Sequence, residues 1–359
     1  MLGDNCMKYN AVDLFCGIGG LTNGLEKSGI NVIAGLDFEL GCKYAYEKNN
    51  SARFINADIT QVDPSDINKL FPKSGYRVLA GCAPCQPFSK YTHRYRKDGY
   101  KDDKWRLLYY FGSIAEAILP DIIAMENVPE LRNTKIFKDF VKKLKEIKYY
   151  VQYKVVYCPD YGVPQCRKRL VLLASKFSNI ELLPPTHSKE NYITVKDAIG
   201  SLPALMSGQT DPTDPMHTCT KLSPTNVKRI KASTPGGTWR DWPVELQLKC
   251  HKKNSGQSYP SVYGRMCWDE PSPTITTQFY GYGNGRFGHP EQDRALSLRE
   301  GAILQSFPPN YQFIDPNGQM NTRKLGVQIG NAVPVELGNI IGLSIINHIK
   351  ELEKNGKKN

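Results

Sequence analysis

The chain predicts a doubly wound α/β fold, built on a mostly parallel sheet and joined to a second, irregular domain. Short apolar runs alternate with segments of helical periodicity from Tyr9 to Ala174, the pattern of parallel strands with crossover helices. The first run ends in a glycine turn that opens directly into a helix, Asp13-Leu14-Phe15-Cys16-Gly17-Ile18-Gly19-Gly20. From about Leu183 the texture changes: Pro, Ser, Thr and Gly become frequent and helical periodicity fades. With 359 residues the chain can bury a full core and divide in two.

Lys and Arg number 47 against 35 Asp and Glu, a formal charge of +12, so the protein carries a field that attracts a polyanion. Part of that charge lies on solvated helix faces, such as Lys138 to Lys148, and in the segment from Lys350. No stretch approaches a membrane span, and the first residues lack the basic-then-apolar order of a secretory signal. The ten cysteines are therefore expected to stay reduced, as nucleophiles or core fillers.

Taken in order, Tyr9 to Phe15 reads as a buried strand and Leu21 to Ser28 as the helix after its turn. The glycines let the backbone approach a ligand, and the helix start offers free N–H groups beside it. Gly19 and Gly20 are adjacent and the next glycine is Gly24, so the dinucleotide pattern G-x-G-x-x-G is absent and another nucleoside fits better than a nicotinamide cofactor. The strand Asn31 to Leu36 ends at Asp37, where an acid in such folds accepts from ribose hydroxyls, and Phe38 can lie against a purine. A third unit ends at Asn56-Ala57-Asp58-Ile59, with a second carboxylate at the same sheet edge. Each Asp alone also reads as a helix cap.

The run Tyr76 to Ala80 leads into Gly81-Cys82-Ala83-Pro84-Cys85-Gln86-Pro87-Phe88-Ser89. A loop after a buried strand is where such a sheet presents reactive groups, which makes Cys85 the nucleophile candidate. Cys82 and Cys85 also read as a redox pair or half a zinc site. Cys158 and Cys166 are too far apart to supply the other half, no H-x-x-x-H partner appears, and the segment after Cys85 does not open a helix as a thioredoxin motif would. After a helix from Leu107 to Leu119, the strand Asp121 to Met125 delivers Glu126 next to the Cys85 strand. Glu126 is either a general acid or the cap of the helix after Pro129. A helix Ile136 to Ile147 and strand Val151 to Tyr157 precede Gln165-Cys166-Arg167-Lys168-Arg169 and the strand Leu170 to Ala174. Arg167 and Arg169 share one side of an extended segment, suited to a phosphate or to orienting Glu126.

In the second domain Trp239, Trp242, Tyr259, Tyr263, Trp268, Phe279, Tyr280 and Tyr282 are interleaved with basic residues. That pattern suits nucleic acid and suits the core of a loop-rich domain equally. A short helix follows Leu296, and Pro334 opens an apolar closing helix, where its missing N–H costs nothing.

Together these segments resemble the DNA (cytosine-5) methyltransferase family over nearly the whole chain, with the motifs in the family's order. Asp13 to Gly20 is similar to its cofactor loop, Pro84-Cys85-Gln86 to its nucleophile motif, Glu126-Asn127-Val128 to its acid motif, and Gln165-x-Arg167-x-Arg169 to its basic motif. Arg299 to Pro308 and Gly330 to Pro334 resemble its last two. The resemblance implies a Rossmann-like, S-adenosylmethionine-dependent methyltransferase sheet with a smaller target-recognition domain. It implies a discontinuous catalytic domain, 1–187 and 325–359, around a recognition domain and hinge at 188–324. The long insert argues against the tRNA-methylating branch.

For S-adenosyl-L-methionine the resemblance implies contacts at Phe15, Gly17, Ile18, Gly20, Asp37, Phe38, Asp58, Ile59, Pro84, Asn331 and Val333. It implies that Cys85 adds to carbon 6 of a flipped cytosine, that Glu126 holds the base, and that Arg167 and Arg169 orient both. Gln86, Ser89, Gln165 and Thr274 would contact DNA, with Arg240 and Arg265 as guanine readers. Ser89 to Lys104 has the composition of a lid. The implied partner is double-stranded DNA, met by a monomer in a bacterial cytoplasm, on nucleoid DNA, with a restriction endonuclease as functional counterpart and no membrane or metal. A non-catalytic DNA-binding protein of the same fold is the alternative, and Cys85, Glu126 and Arg169 argue against it.

Overall fold

The computed structural model of the chain describes residues 8–84 and 106–356. β1 (Tyr9–Leu14) is buried in five of its six residues, and its glycine turn leads into α1 (Gly20–Ser28). β2 (Asn31–Asp37), α2 (Lys43–Asn49), β3 (Arg53–Asn56), α3 (Pro64–Leu70), β4 (Tyr76–Gly81), α4 (Leu107–Ile118), β5 (Ile122–Asn127), α5 (Lys135–Glu146) and β6 (Tyr150–Tyr157) continue the alternation. Then come β7 (Gln165–Cys166), β8 (Lys168–Ser175), α6 (Val195–Ile199), α7 (Pro224–Lys231), β9 (Ser272–Pro273), α8 (Leu298–Leu304), α9 (Thr322–Asn331) and α10 (Val335–Lys354).

Seven strands form one sheet in the order β3-β2-β1-β4-β5-β8-β6. β1 to β5 pair in parallel, whereas β8 runs antiparallel to both β5 and β6. The order reverses between β1 and β4, so the switch point at which such sheets bind ligands lies where the first turn and the Pro84 turn leave the sheet.

The described residues divide into two units. The first holds the chain up to Tyr157, Lys168–Pro185 and the chain from Val333; the second holds Cys158–Arg167 and Thr186–Ala332. This differs from the expected boundaries at 187 and 325 in three places, the smallest being Thr186 and His187, which fall in the second unit. Cys158–Arg167 joins the second unit because β7 pairs with β9. Residues 325–332 join it because α9 lies against the Thr276–Tyr280 segment, where a Cβ on Gly326 would meet the Tyr280 ring at 2.3 Å and one on Gly330 the Thr276 backbone at 2.5 Å.

In the first unit, Leu14, Leu36, Leu79, Ile123 and Leu172 of the sheet pack with Phe111, Phe137 and Phe140 of the helices. α10 lies against α1 at glycine-sized spacing: a Cβ on Gly24 would stand 2.3 Å from Val335 O, and one on Gly338 3.0 Å from Leu21 O. The expectation that no stretch approaches a membrane span is corrected here. The run Thr322–Lys354 is long and apolar enough, and 72% of its most apolar window is buried inside the protein. In α10 the packing against α1 accounts for that apolarity.

The second unit has little ladder structure. Trp239, Trp242, Phe279 and Tyr282 are buried in it, so most of the aromatic set fills a core, while Tyr259 is 54% exposed. Trp239 stacks on His251 at 4.2 Å between ring centres, and Arg229 lies over both Trp242 and Tyr263.

Candidate active site

The ends of β4, β5 and β8 carry the polar residues of the sheet's active edge. Gly81 closes the β4–β5 register opposite Met125, and Cys82 N then donates to Leu14 O. Asn127 Nδ2 donates to Ala83 O at 2.9 Å, while its own Oδ1 accepts from Val128 N. Asn127 therefore pins the turn that carries Pro84. Cys85, Gln86, Ser89 and the expected lid lie outside the described residues.

Glu126 is 2% exposed. Antiparallel pairing puts Val171 opposite Glu126, so Arg169, two residues earlier on β8, is its diagonal neighbour on the same face. Arg169 Nε lies 2.8 Å from Glu126 Oε1 as an ion pair, out of line for a hydrogen bond, and among the described residues Oε1 accepts no hydrogen bond. Oε2 accepts from Cys82 Sγ at 3.0 Å. Burial first, then the Glu126 carboxylate, pushes the Cys82 thiol well above its usual range. Glu126 is not a helix cap, since Val128 occupies the cap position of the turn Pro129–Asn133.

At the end of β1 the backbone coils through left-handed angles, with φ of 61° at Phe15, 52° at Gly17 and 89° at Gly19. A Cβ built on Gly17 would meet nothing within 4 Å, so one side of this turn is open. Ile18 and Gly20 are buried, and α1 begins without a side-chain cap at Gly19, the Thr22 N–H of its first turn being taken by Asp13. Gly17 N and Glu39 N each donate to one oxygen of Asp37 at 2.8 Å, which fixes the carboxylate at the end of β2, and burial raises its pKa. Phe38 beside it is 75% exposed. Asp58 is exposed, and its Oδ1 accepts from Thr60 N and Oγ1, while the Ile59 side chain belongs to the core. An open glycine turn, a fixed carboxylate, an exposed ring and an uncapped helix start fit an adenosyl cofactor with a carboxylate tail.

One residue here has a role the sequence did not suggest. Asp13 is fully buried near the end of β1, its Oδ2 accepts from Thr22 Oγ1 at 2.7 Å, and its Oδ1 accepts no hydrogen bond among the described residues. Burial, with Asp37 nearby, pushes its carboxyl up to about 7. A carboxylate inside the run Tyr-Asn-Ala-Val-Asp-Leu was the available signal.

A family model described as C-5 cytosine-specific DNA methylase matches residues 9–347. The chain belongs to this family. It is a DNA cytosine-5 methyltransferase. It is 53% identical over 346 residues to the Type II methylase M.HgiDII of Herpetosiphon aurantiacus, covering 96% of both chains. It is 30% identical to the Type II methyltransferase M.Eco47II of Escherichia coli, over 96% of this chain and 81% of that one. Among solved structures, a putative DNA modification methyltransferase encoded within an E. coli prophage matches with a TM-score of 0.71 at 20% identity, covering 95% of this chain and 99% of that one. That likeness speaks for the fold.

Three residues of the methyltransferase's second unit correct their expected roles. Arg265 is 5% exposed and turned inward: Nε donates to Ile230 O and Ser233 O, Nη1 to His289 O and Gln292 O, and Nη2 to Asp293. It fastens loops instead of reading guanine. Gln165 is fully buried, donating to Leu304 O and Gln305 and accepting from Ile275 N, so it does not reach DNA. Arg167, 2% exposed, donates to Ile275 O and Gly330 O instead of orienting Glu126. The two-residue alternation fails because strand pairing breaks at Arg167, between β7 and β8. Thr274 Oγ1 donates to Cys166 O. Arg240 is exposed, lying over the Trp239 ring and donating to Gln257 O. Asn331 is exposed at the end of α9 in the second unit, and Val333 is buried in the first.

Proposed function

We propose that the enzyme flips a cytosine out of a specific duplex site and methylates its carbon 5 through a covalent adduct of Cys85 at carbon 6. The observation that carries this reading is the buried Glu126–Arg169 pair on β5 and β8, one strand from the turn leading to Cys85. Carbon 5 of cytosine is a poor nucleophile. When the Cys85 thiolate bonds to carbon 6, the ring becomes an enamine whose carbon 5 can attack an electrophile; loss of the carbon 5 proton then lets the thiolate leave. Glu126 would hold the base, with Oε1, which accepts no hydrogen bond among the described residues, receiving the exocyclic amine, while Arg169 fixes the carboxylate. Flipping costs a few kcal/mol, supplied by contacts to the extruded nucleotide.

S-adenosyl-L-methionine, when bound, would supply the methyl group as that electrophile. Asp37 would hold its ribose, Phe38 its purine and Asp58 the adenine amine, with Phe15, Gly17, Ile18, Gly20 and the Ile59 backbone lining the site and Pro84 and Val333 completing it. The similarity to a Type II methylase supports action within a restriction-modification system, in a bacterial cytoplasm.

The test is a duplex carrying 5-fluorocytosine at the target. Fluorine cannot leave as the proton does, so the wild-type protein should form an adduct stable to denaturing electrophoresis, only with S-adenosylmethionine present. Cys85→Ala should lose trapping and turnover and still bind DNA. Trapping that persists in Cys85→Ala, or maps to Cys82, overturns the reading.

A further inference from the structure

Glu126 is almost without solvent, and a buried carboxylate needs donors close to it. Among the described residues, two side chains meet it. Arg169 approaches Oε1 at 2.8 Å as a charge, and Cys82 donates its S–H to Oε2 at 3.0 Å. Cys82 is held by the β4 exit, where its own N–H bonds to Leu14 O, so the donor is fixed by the sheet. The thiol keeps its proton here, because burial and the facing carboxylate both oppose the thiolate. A thiol is a weak donor, able to orient a carboxylate without strongly favouring its anion. The C-x-x-C spacing suggests a redox couple, but the bond that Cys82 makes is to the acid.

We propose that Cys82 is a positioning residue of the methyl-transfer reaction: its S–H fixes Oε2 of Glu126 and leaves Oε1 as the oxygen that meets the base. This rests on the reading of Glu126 given above.

The test uses the full chain with Cys82→Ala and Cys82→Ser. Losing a hydrogen bond to a charged group should lower kcat by roughly 10–100-fold in Cys82→Ala, with KM for DNA little changed. The hydroxyl of Cys82→Ser should restore kcat to within a few fold. Independently of activity, the infrared difference between wild type and Cys82→Ala should show an S–H stretch shifted by hydrogen bonding, and Glu126→Gln should move that band. A Cys82→Ala enzyme with wild-type kcat, equal loss in both variants, or a band unmoved by Glu126→Gln overturns the proposal. Adduct formation on 5-fluorocytosine separates the two readings. A wild type that forms none overturns the role of Glu126 and this proposal with it. Normal trapping in wild type beside an unaltered Cys82→Ala overturns this proposal alone.

Discussion

Arg169 of the first unit and Arg265 of the second are used differently. Arg169 pairs with the Glu126 carboxylate at a sheet edge and otherwise donates only to its neighbour Lys168 O among the described residues, because the ladder already satisfies the strand backbones around it. The second unit has few ladders, so its buried carbonyls need side-chain donors. Arg265 serves four of them, Arg167 two, and Arg299 binds Tyr311 O while pairing with Asp214. Arg294, fully buried, is bidentate to Glu300 at 2.7 Å on both arms, and Glu300 in turn accepts from Ser297 N at the start of α8. An arginine in a loop-rich domain is thus as readily a substitute for secondary structure as a reader of nucleic acid.

The strongest way to break this contrast is Arg265→Ala. Removing one partner of a buried charged network should destabilise the protein by roughly 3–5 kcal/mol, read by urea or thermal unfolding, and weaken binding to target and random duplexes alike. A stable variant that merely relaxed site choice would return Arg265 to the bases.

Next in size is the charge that the first unit leaves uncompensated. Asp13 has its folded pKa raised to about 7, so the native state keeps a proton that the unfolded chain gives up near pH 4. Stability from this group is full below about pH 4 and is lost as pH rises to about 7, a fall of about 2–3 kcal/mol between about pH 5 and pH 7.5. Asp13→Asn should flatten that slope in unfolding free energy measured across the range. An unchanged slope would show that Asp13 does not titrate there.

The smallest effect, and the sharpest for the contrast, belongs to Arg240. It is exposed and held flat by Trp239 and Gln257, so Arg240→Ala should leave the melting temperature nearly unchanged. Binding should lose about 1–3 kcal/mol on the target site and little on random duplex if it reads a base. Equal losses would make it a phosphate contact.

What was legible in the sequence follows the same division. Asp37 and Glu126 close apolar runs, and a run that ends in an acid already says which edge of the sheet that acid occupies. The partners of Arg265, spread from Ile230 to Asp293, follow no period, so nothing local separates an internal clamp from a free guanidinium. Arg167 was misread because alternation assumes an unbroken strand. The bond from Cys82 to Glu126 joins residues 44 apart across two strands and was hidden behind a spacing that suggests a redox pair.

The glycine contact between α1 and α10 has a consequence for synthesis. Lys27 and Glu336 form an ion pair across 309 residues, beside the place where Gly24 admits the backbone of α10. At roughly 5–20 residues per second, a ribosome takes on the order of 15–60 s to make that interval. Throughout it, the face of α1 that receives α10 is without its partner, and the helix start offered to the cofactor stands on that unsupported helix. Nascent chains therefore expose an apolar surface to chaperones for much of their translation. The cofactor site gains its backing only when residues beyond Gly338 have emerged, which ties the onset of methylation to a late event in the making of each molecule.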